Sequence, residues 1–204
     1  MRDALKSLAR GVSLVLVLPS LTSYALKSLV LGPDRALEGS TQLLALVPGI
    51  IGQYLRRAFL SRVLAACHHT ATIEFGTLFS SASARLDEHV YVGPRCHLGF
   101  VHLEREVLVA AGVHIPSGAH IHGSGDAALP LREQGLSRTL VTIGEGSWIG
   151  SAAVVMADVG ARTIVGAGSV VTRPIPADVM AAGSPAKVIR ARDAERAGAR
   201  HATP

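Results

Sequence analysis

The sequence predicts an all-β solenoid built from six-residue repeats. Aliphatic residues recur every six positions at Ile143, Ile149 and Val155, and again at Val165 and Val171. A small or β-branched residue stands four places after each of the first four, at Ser147, Ala153, Val159 and Ser169. Gly144, Gly150 and Gly166 each directly follow an aliphatic. A period of six is neither the 3.6 of a helix nor the 2 of a simple strand. It suits a coil whose short strands each send one aliphatic inward and then turn at a glycine or small polar residue. Fixed-period self-similarity of this kind marks a repeat architecture. Composition agrees: aromatics make up 4%, charged residues 17%, and there are 21 glycines, the profile of a thin aliphatic core.

The elements follow in chain order. Residues 1–70 read as an N-terminal helical region, 71–190 as the solenoid with an internal loop at 123–142, and 191–204 as a tail. Residues 1–62 hold eight Lys and Arg against three Asp and Glu, and the remainder hold twelve of each, so the net charge of +5 resides wholly in the N-terminal part. A neutral repeat region without a recognisable motif predicts no nucleic-acid partner. The basic start at Arg2, Lys6 and Arg10 leads into an apolar run, 11–32, whose only charge is Lys27. Three readings fit it: a secretory leader with Ser23-Tyr24-Ala25 as its small-x-small site, a spanning helix diluted by polar residues and Pro19, or helices packed on the solenoid or lying on a membrane face with Pro19 as a kink. After a Pro48-Gly49 break, a helix carries Arg56, Arg57 and Arg62, read as a solvated basic face or a seat for anionic lipid.

From Ile73 the six-residue rhythm runs through Phe79, Leu86, Val92 and Leu98, slips by one, and resumes at Leu103, Val109, Ile115 and Ile121. The loop 123–142 interrupts it, and a loop of that length inside a regular coil is more often functional than decorative. Val155 to Val165 spans ten residues rather than twelve, which predicts one tightened corner. Residues 73–173 less the loop give roughly four to five coils. The Arg- and Ala-rich tail is expected to form a short C-terminal helix. Cys67 and Cys96 make no disulfide scaffold, and Cys96 at a small-residue repeat position reads as a buried free thiol.

The stretch from Trp148 to Arg190, and above all its Gly183-Ser184-Pro185-Ala186-Lys187-Val188-Ile189 end, resembles the C-terminal signature of the hexapeptide-repeat acyltransferases, which include galactoside and xenobiotic acetyltransferases. Upstream, residues 113–135 resemble the segment of that family that ends in a catalytic histidine and opens into an extended loop. Residues 46–60 and 75–86 resemble a subgroup with a helical N-terminal extension. The resemblance implies a left-handed parallel β-helix, a homotrimer with active sites at subunit interfaces, and acetyl-CoA or another acyl thioester as donor, with no metal. For a membrane-seated trimer it points to a saccharide acceptor in surface polysaccharide or glycan assembly. The expected location is cytoplasmic, at the inner face of the cell membrane, with contact through residues 1–62.

Acyl transfer from a thioester needs a base for the acceptor hydroxyl or amine and donors for the oxyanion. Histidine suits the first task because its unperturbed pKa lies near neutrality. Aligning Ser117-Gly118 and Pro130 to Gly135 with the family places the base at His122. Counting from Gly112-Val113 instead selects His120, and His114 is explained by an exposed strand position. Gly123-Ser124-Gly125-Asp126 replaces the family's bulky residue and two acidic residues, leaving Asp126 to orient an acceptor. By the same resemblance Trp148 walls the site, or packs between subunits, and Ala152, Ala153, Gly166, Ala167 and Gly168 line the pantetheine arm. Lys187 and Arg190 are the candidates for the CoA phosphates, as cationic donors to phosphate oxygens. Two rivals remain. His97 and His102 have the HxxxxH spacing of a zinc site of the γ-class carbonic-anhydrase type, and a non-catalytic membrane-seated trimer fits the altered loop.

Overall fold

The computed structural model describes residues 2–119 and 128–192. Its body is a left-handed parallel β-helix of about six coils. Three sheets, parallel throughout except at the final strand, form its sides. The first sheet holds β1 (Ala66–Cys67), β4 (Arg85–Leu86), β7 (Val101–Leu103) and β10 (Val141–Ile143). The second holds β2 (Thr72–Ile73), β5 (Tyr91–Val92), β8 (Leu108–Val109), β11 (Trp148–Ile149), β13 (Ile164–Val165), β15 (Val179–Gly183) and β16 (Ala186–Ala191). The third holds β3 (Leu78–Phe79), β6 (His97–Leu98), β9 (His114–Ile115), β12 (Val154–Val155) and β14 (Val170–Val171).

Most strands contribute two residues, the second of which points inward. Ile73, Leu86, Val92, Leu98, Val109, Ile115, Ile149, Val155, Val165 and Val171 are wholly buried in this way and form one continuous core. The six-residue period is therefore the length of one side, strand plus corner. Along the sides, each coil donates backbone N–H groups to the carbonyls of the next, as in Thr72 to Val90, Tyr91 to Val107, Leu108 to Ser147 and Trp148 to Thr163, all 2.9 Å. Buried corner hydroxyls close the remaining bonds: Ser147 Oγ donates to Gly160 O (2.8 Å) and accepts from Thr163 N (3.1 Å).

The coil departs from the sequence expectation in three places. It begins at β1, before Ile73, and runs on through β15, so there are about six coils rather than four to five. Val159 is not a corner residue: it is buried and bridges Ile143 on one side and Ile175 on the other. The tightened corner therefore lies just before it, where Val159 follows Val155 by four positions instead of six. The stretch after Gly183 turns back as β16, antiparallel to β15, up to Ala191. The short C-terminal helix expected of the tail falls on residues 193–204, outside the described residues.

Three helices close the first-coil end. The long α1 (Arg2–Leu31) passes through Pro19 without interruption. It owes its seat to an inner row, Leu14, Val17, Leu21 and Tyr24, at the 3–4 spacing of one helix face. Gly32 at φ 81 stops it, donating its N–H to Ser28 O, and Pro33 starts α2 (Pro33–Ala45) at a position that needs no N–H. The third helix is α3 (Gly49–Val63). Helices α2 and α3 lie against the first coil, and α1 lies across them as the outer layer.

Arg56 is the main surprise in this layer. It is 2% exposed, not part of a solvated face. Its Nε donates to Ile73 O (3.0 Å) and its Nη1 to Leu44 O (3.1 Å) and Val47 O (2.7 Å). Arg57 Nη1 donates to Ala71 O (3.2 Å). The first coil has no coil before it, so its downward carbonyls need donors from elsewhere. The two arginines supply donors to two of them, at Ile73 and Ala71.

Candidate active site

Two neighbouring corners of the coil hold most of the candidate residues among the described ones and the stem of the loop. At the corner between the second and third sheets, Arg95, Gly112, Ala152 and Gly168 stack in register with φ of 58, 67, 58 and 67. Each donates its N–H to the coil below, including Ala152 to Ala111 O (2.9 Å) and Gly168 to Ser151 O (2.8 Å). Ala152 holds this left-handed turn without being glycine, which costs about 1 kcal/mol.

The residues just before this corner are small because the coils approach closely there. A Cβ on Gly150 would lie 2.5 Å from Ala167 N, and one on Gly166 would lie 2.8 Å from Ala182 Cβ. Ala182 is in turn paired with Lys187 across the antiparallel hairpin. Gly166, Ala167, Gly168, Ala152 and Lys187 thus gather at one corner of the last coils, with the Lys187 side chain exposed. Ala153 does not share that surface: its side chain is wholly buried in the core, so only its backbone is available at the corner.

Trp148 stands on the outer face of the second sheet, 49% exposed, in register with Leu108 on one side and Ile164 on the other. The column continues to Tyr91 and to Met180, and Met180 pairs with Arg190. Arg190 is therefore three strands from Trp148, about 14 Å at ~4.8 Å per strand. Sequence reading isolated Trp148 but missed its apolar column, although the strand register derived from the repeat contains that signal.

The loop leaves from a different corner, between the third and first sheets. Its stem is fixed: Thr139 N donates to Ser117 O (2.9 Å), and the buried Ser117 Oγ accepts from Phe100 N (2.9 Å). Beyond the stem, Arg138 pairs closely with Asp34 on α2, whose other oxygen accepts from Ala82 N at 2.8 Å. This tie between the returning limb and the helical layer was not legible in sequence, since 104 residues separate its partners. Strand β10 begins at Val141, slightly before the predicted end of the loop. His120, His122 and Asp126 lie outside the described residues.

The other histidines have structural surroundings. His114 and His97 sit on adjacent strands of the third sheet with ring centroids 6.2 Å apart. Burial first, then the neighbouring His114, holds the His97 pKa below its usual value, opposed by Glu38. His102 Nε2 lies 3.0 Å from Asp87 Oδ2 on the first sheet. Among the described residues no three His, Cys, Asp or Glu side chains converge as a metal site.

No family model matches the chain. A provisionally named acetyltransferase of Saccharomyces cerevisiae is 38% identical over 89 residues, which is 42% of this chain and 45% of that protein. The chain thus spans less than half the length of that relative. Galactoside O-acetyltransferase of Escherichia coli strain K12 is 28% identical over 172 residues, covering 78% of this chain and 79% of that protein. Among solved structures, maltose O-acetyltransferase from Clostridium difficile 630 superposes with a TM-score of 0.65 at 22% identity, over 80% of this chain and 88% of the other. A hexapeptide-repeat acetyltransferase of Vibrio cholerae, solved in complex with acetyl coenzyme A, gives 0.60 at 19% identity over 78% and 86%. In sequence, then, the chain is similar to proteins named as acetyltransferases, and its coil has the fold of the hexapeptide-repeat acetyltransferases.

Proposed function

We propose that this protein transfers an acetyl group from acetyl-CoA to a hydroxyl or amine of a saccharide acceptor, working as a homotrimer. The observation that carries the reading is the corner built of Ala152, Gly166, Ala167 and Gly168. Its small side chains and close-packed backbone let an extended pantetheine arm lie along the coils, and Lys187 stands at its end for a phosphate. Acetyl-CoA is bound by the V. cholerae neighbour, and O-acetyl transfer to sugars is named for the E. coli and C. difficile proteins.

The trimer is favoured by geometry. The loop stem and the donor corner lie at opposite ends of the third sheet, up to about 20 Å apart for a six-residue side. A loop from a neighbouring subunit completes such a site, and the exposed apolar column through Tyr91, Leu108 and Trp148 offers a surface for that neighbour. In the reaction His122 takes the acceptor proton as the acceptor oxygen or nitrogen attacks the thioester carbonyl. Backbone N–H groups stabilise the oxyanion. Collapse of the intermediate expels the CoA thiolate, which receives the proton from the imidazolium, while Asp126 orients the acceptor. His120 is the alternative base. We place the enzyme on the cytoplasmic side of the cell membrane, held there by its N-terminal helices.

Calorimetric titration with acetyl-CoA tests the donor half, with micromolar binding weakened by Lys187→Ala as the expected result. An acceptor screen then separates the histidines: His122→Ala should lose roughly 10²–10⁴-fold in rate. That loss in His120→Ala alone would move the base to His120. Acetyl-CoA binding without turnover on any acceptor would mark a non-catalytic trimer.

A further inference from the structure

We infer that the N-terminal helical layer docks on an anionic phospholipid bilayer with α1 lying flat among the headgroups rather than crossing the membrane. The inference deepens the membrane seating proposed above and is independent of the acyl-transfer chemistry.

The outer face of α1 carries Leu8, Val12, Val15, Leu16, Leu26 and Val30, each between 51% and 83% exposed. Their spacing places them on one side of the helix, and no charged residue interrupts that arc. Ile50 and Ile51 on α3, both 66% exposed, widen the face across a groove shared with Leu8, Val12 and Leu16. From Leu8 to Leu31 the helix is about 35 Å long at 1.5 Å per residue. Soluble monomers rarely leave so continuous an apolar patch in water.

Charge selects the occupant. On the other flank of α1 a cleft of about 370 Å³ opens towards α3, lined by Arg10, Arg57, Arg62, His69, Tyr54 and Ser7. Arg57 is held in place by Ala71 O and by the Tyr54 ring, 4.7 Å from its guanidinium carbon, while Arg10 and Arg62 are exposed. Three cations converging beside an apolar face match the phosphates of anionic lipid above its acyl chains. The positive field is felt by His69, whose pKa is lowered by lost hydration and then by His68, Arg10 and Arg57, against Glu88 alone.

By length and composition, residues Ser7–Leu31 could span a bilayer. Packing argues against it. Ser13 and Val17 are buried, and Leu14, Leu21 and Tyr24 pack on the core, so the inner face is pinned on both sides of Pro19. Tyr24 meets Phe59 edge-on at 6.0 Å. Spanning would strip these contacts and place Ser13, Tyr24 and Lys27 in hydrocarbon. A flat helix keeps them and immerses only the outer face.

The test is co-sedimentation of the full-length protein with vesicles of phosphatidylcholine alone or with about a third phosphatidylglycerol. Binding to the anionic vesicles only, loss in Leu16→Glu/Ile50→Glu, a roughly tenfold or greater weakening in Arg10→Gln/Arg62→Gln, and release by alkaline carbonate support the inference. Retention after carbonate, equal binding to neutral vesicles, or indifference to the arginine pair overturns it. So does an absence of vesicle binding, including the case in which the Leu16→Glu/Ile50→Glu change reduces the size of a soluble assembly, which would make a second copy the occupant. Acetyl-CoA titration of the same variants is expected to be unchanged, which separates failure here from failure of the catalytic reading.

Discussion

Replacing Arg56 with methionine tests how the open end of the solenoid is closed. The side chain is 2% exposed and its guanidinium serves three backbone carbonyls, from Leu44, Val47 and Ile73. Burial lowers the arginine pKa, with Glu74 acting the other way, so the charge is held at some cost. Methionine fills most of the volume but donates nothing. Leu44 O retains Val47 N at 3.3 Å, whereas Ile73 O and Val47 O lose the arginine. A carbonyl left buried without a partner costs about 1–3 kcal/mol, so two give roughly 2–6 kcal/mol. Relief of the arginine's desolvation trims this, the more so because its Nη2 has no partner among the described residues, leaving about 2–4 kcal/mol. For a chain of this size that is a fall in Tm of about 4–16 °C. Urea and thermal denaturation followed by circular dichroism would measure it, with Arg56→Lys as a control that keeps charge but cannot reach all three oxygens. A methionine variant as stable as the parent would refute the claim that these bonds cap the coil.

Three further outcomes follow from the same structure. Gly150→Val forces a Cβ to within 2.5 Å of Ala167 N, so coils must part, at about 1–3 kcal/mol; a Tm unchanged within error would contradict the packing. Burial pushes the Cys67 thiol up to about 12 and raises that of Cys96 as well, so neither should react with a thiol reagent at pH 8 until denaturant is added. Rapid labelling of native protein would disprove this. His97 has a depressed pKa when folded, so the unfolded chain binds its proton more readily. The stability it contributes is therefore full above the unfolded value near 6.5 and declines as pH falls through and below it. His97→Gln should flatten that acid limb in denaturation series between pH 7 and 5, and an unaltered slope would locate the dependence elsewhere.

Much of the solenoid is visible in the chain because its rule is local. Each inward position needs one aliphatic, each corner a small or left-handed residue, and the distance between them is fixed by the length of a side. Residues such as Ile149, Val165 and Val171 could be placed by counting alone. Val159 could not, because a four-residue corner and a six-residue side differ only in how the backbone turns. The residues proposed for the donor corner came from resemblance, and their grouping with Lys187 depends on β16 folding back against β15. The partners of the helical layer were hidden for the same reason. Arg56 and Arg57 look alike in sequence, and only the packing of α3 on the first coil buries one and leaves the other half-open.

By itself, then, the sequence determined the coil, its inner columns and the place where its rhythm is interrupted, since these rest on a period that the chain carries residue by residue. The tertiary structure decided which arginines close the coil, that the loop stem and the donor corner stand apart, and that α1 is pinned by one face and bare on the other. Those are matters of pairing between distant residues. A side chain's burial and partners are set by whatever the fold brings against it, and no local pattern encodes that.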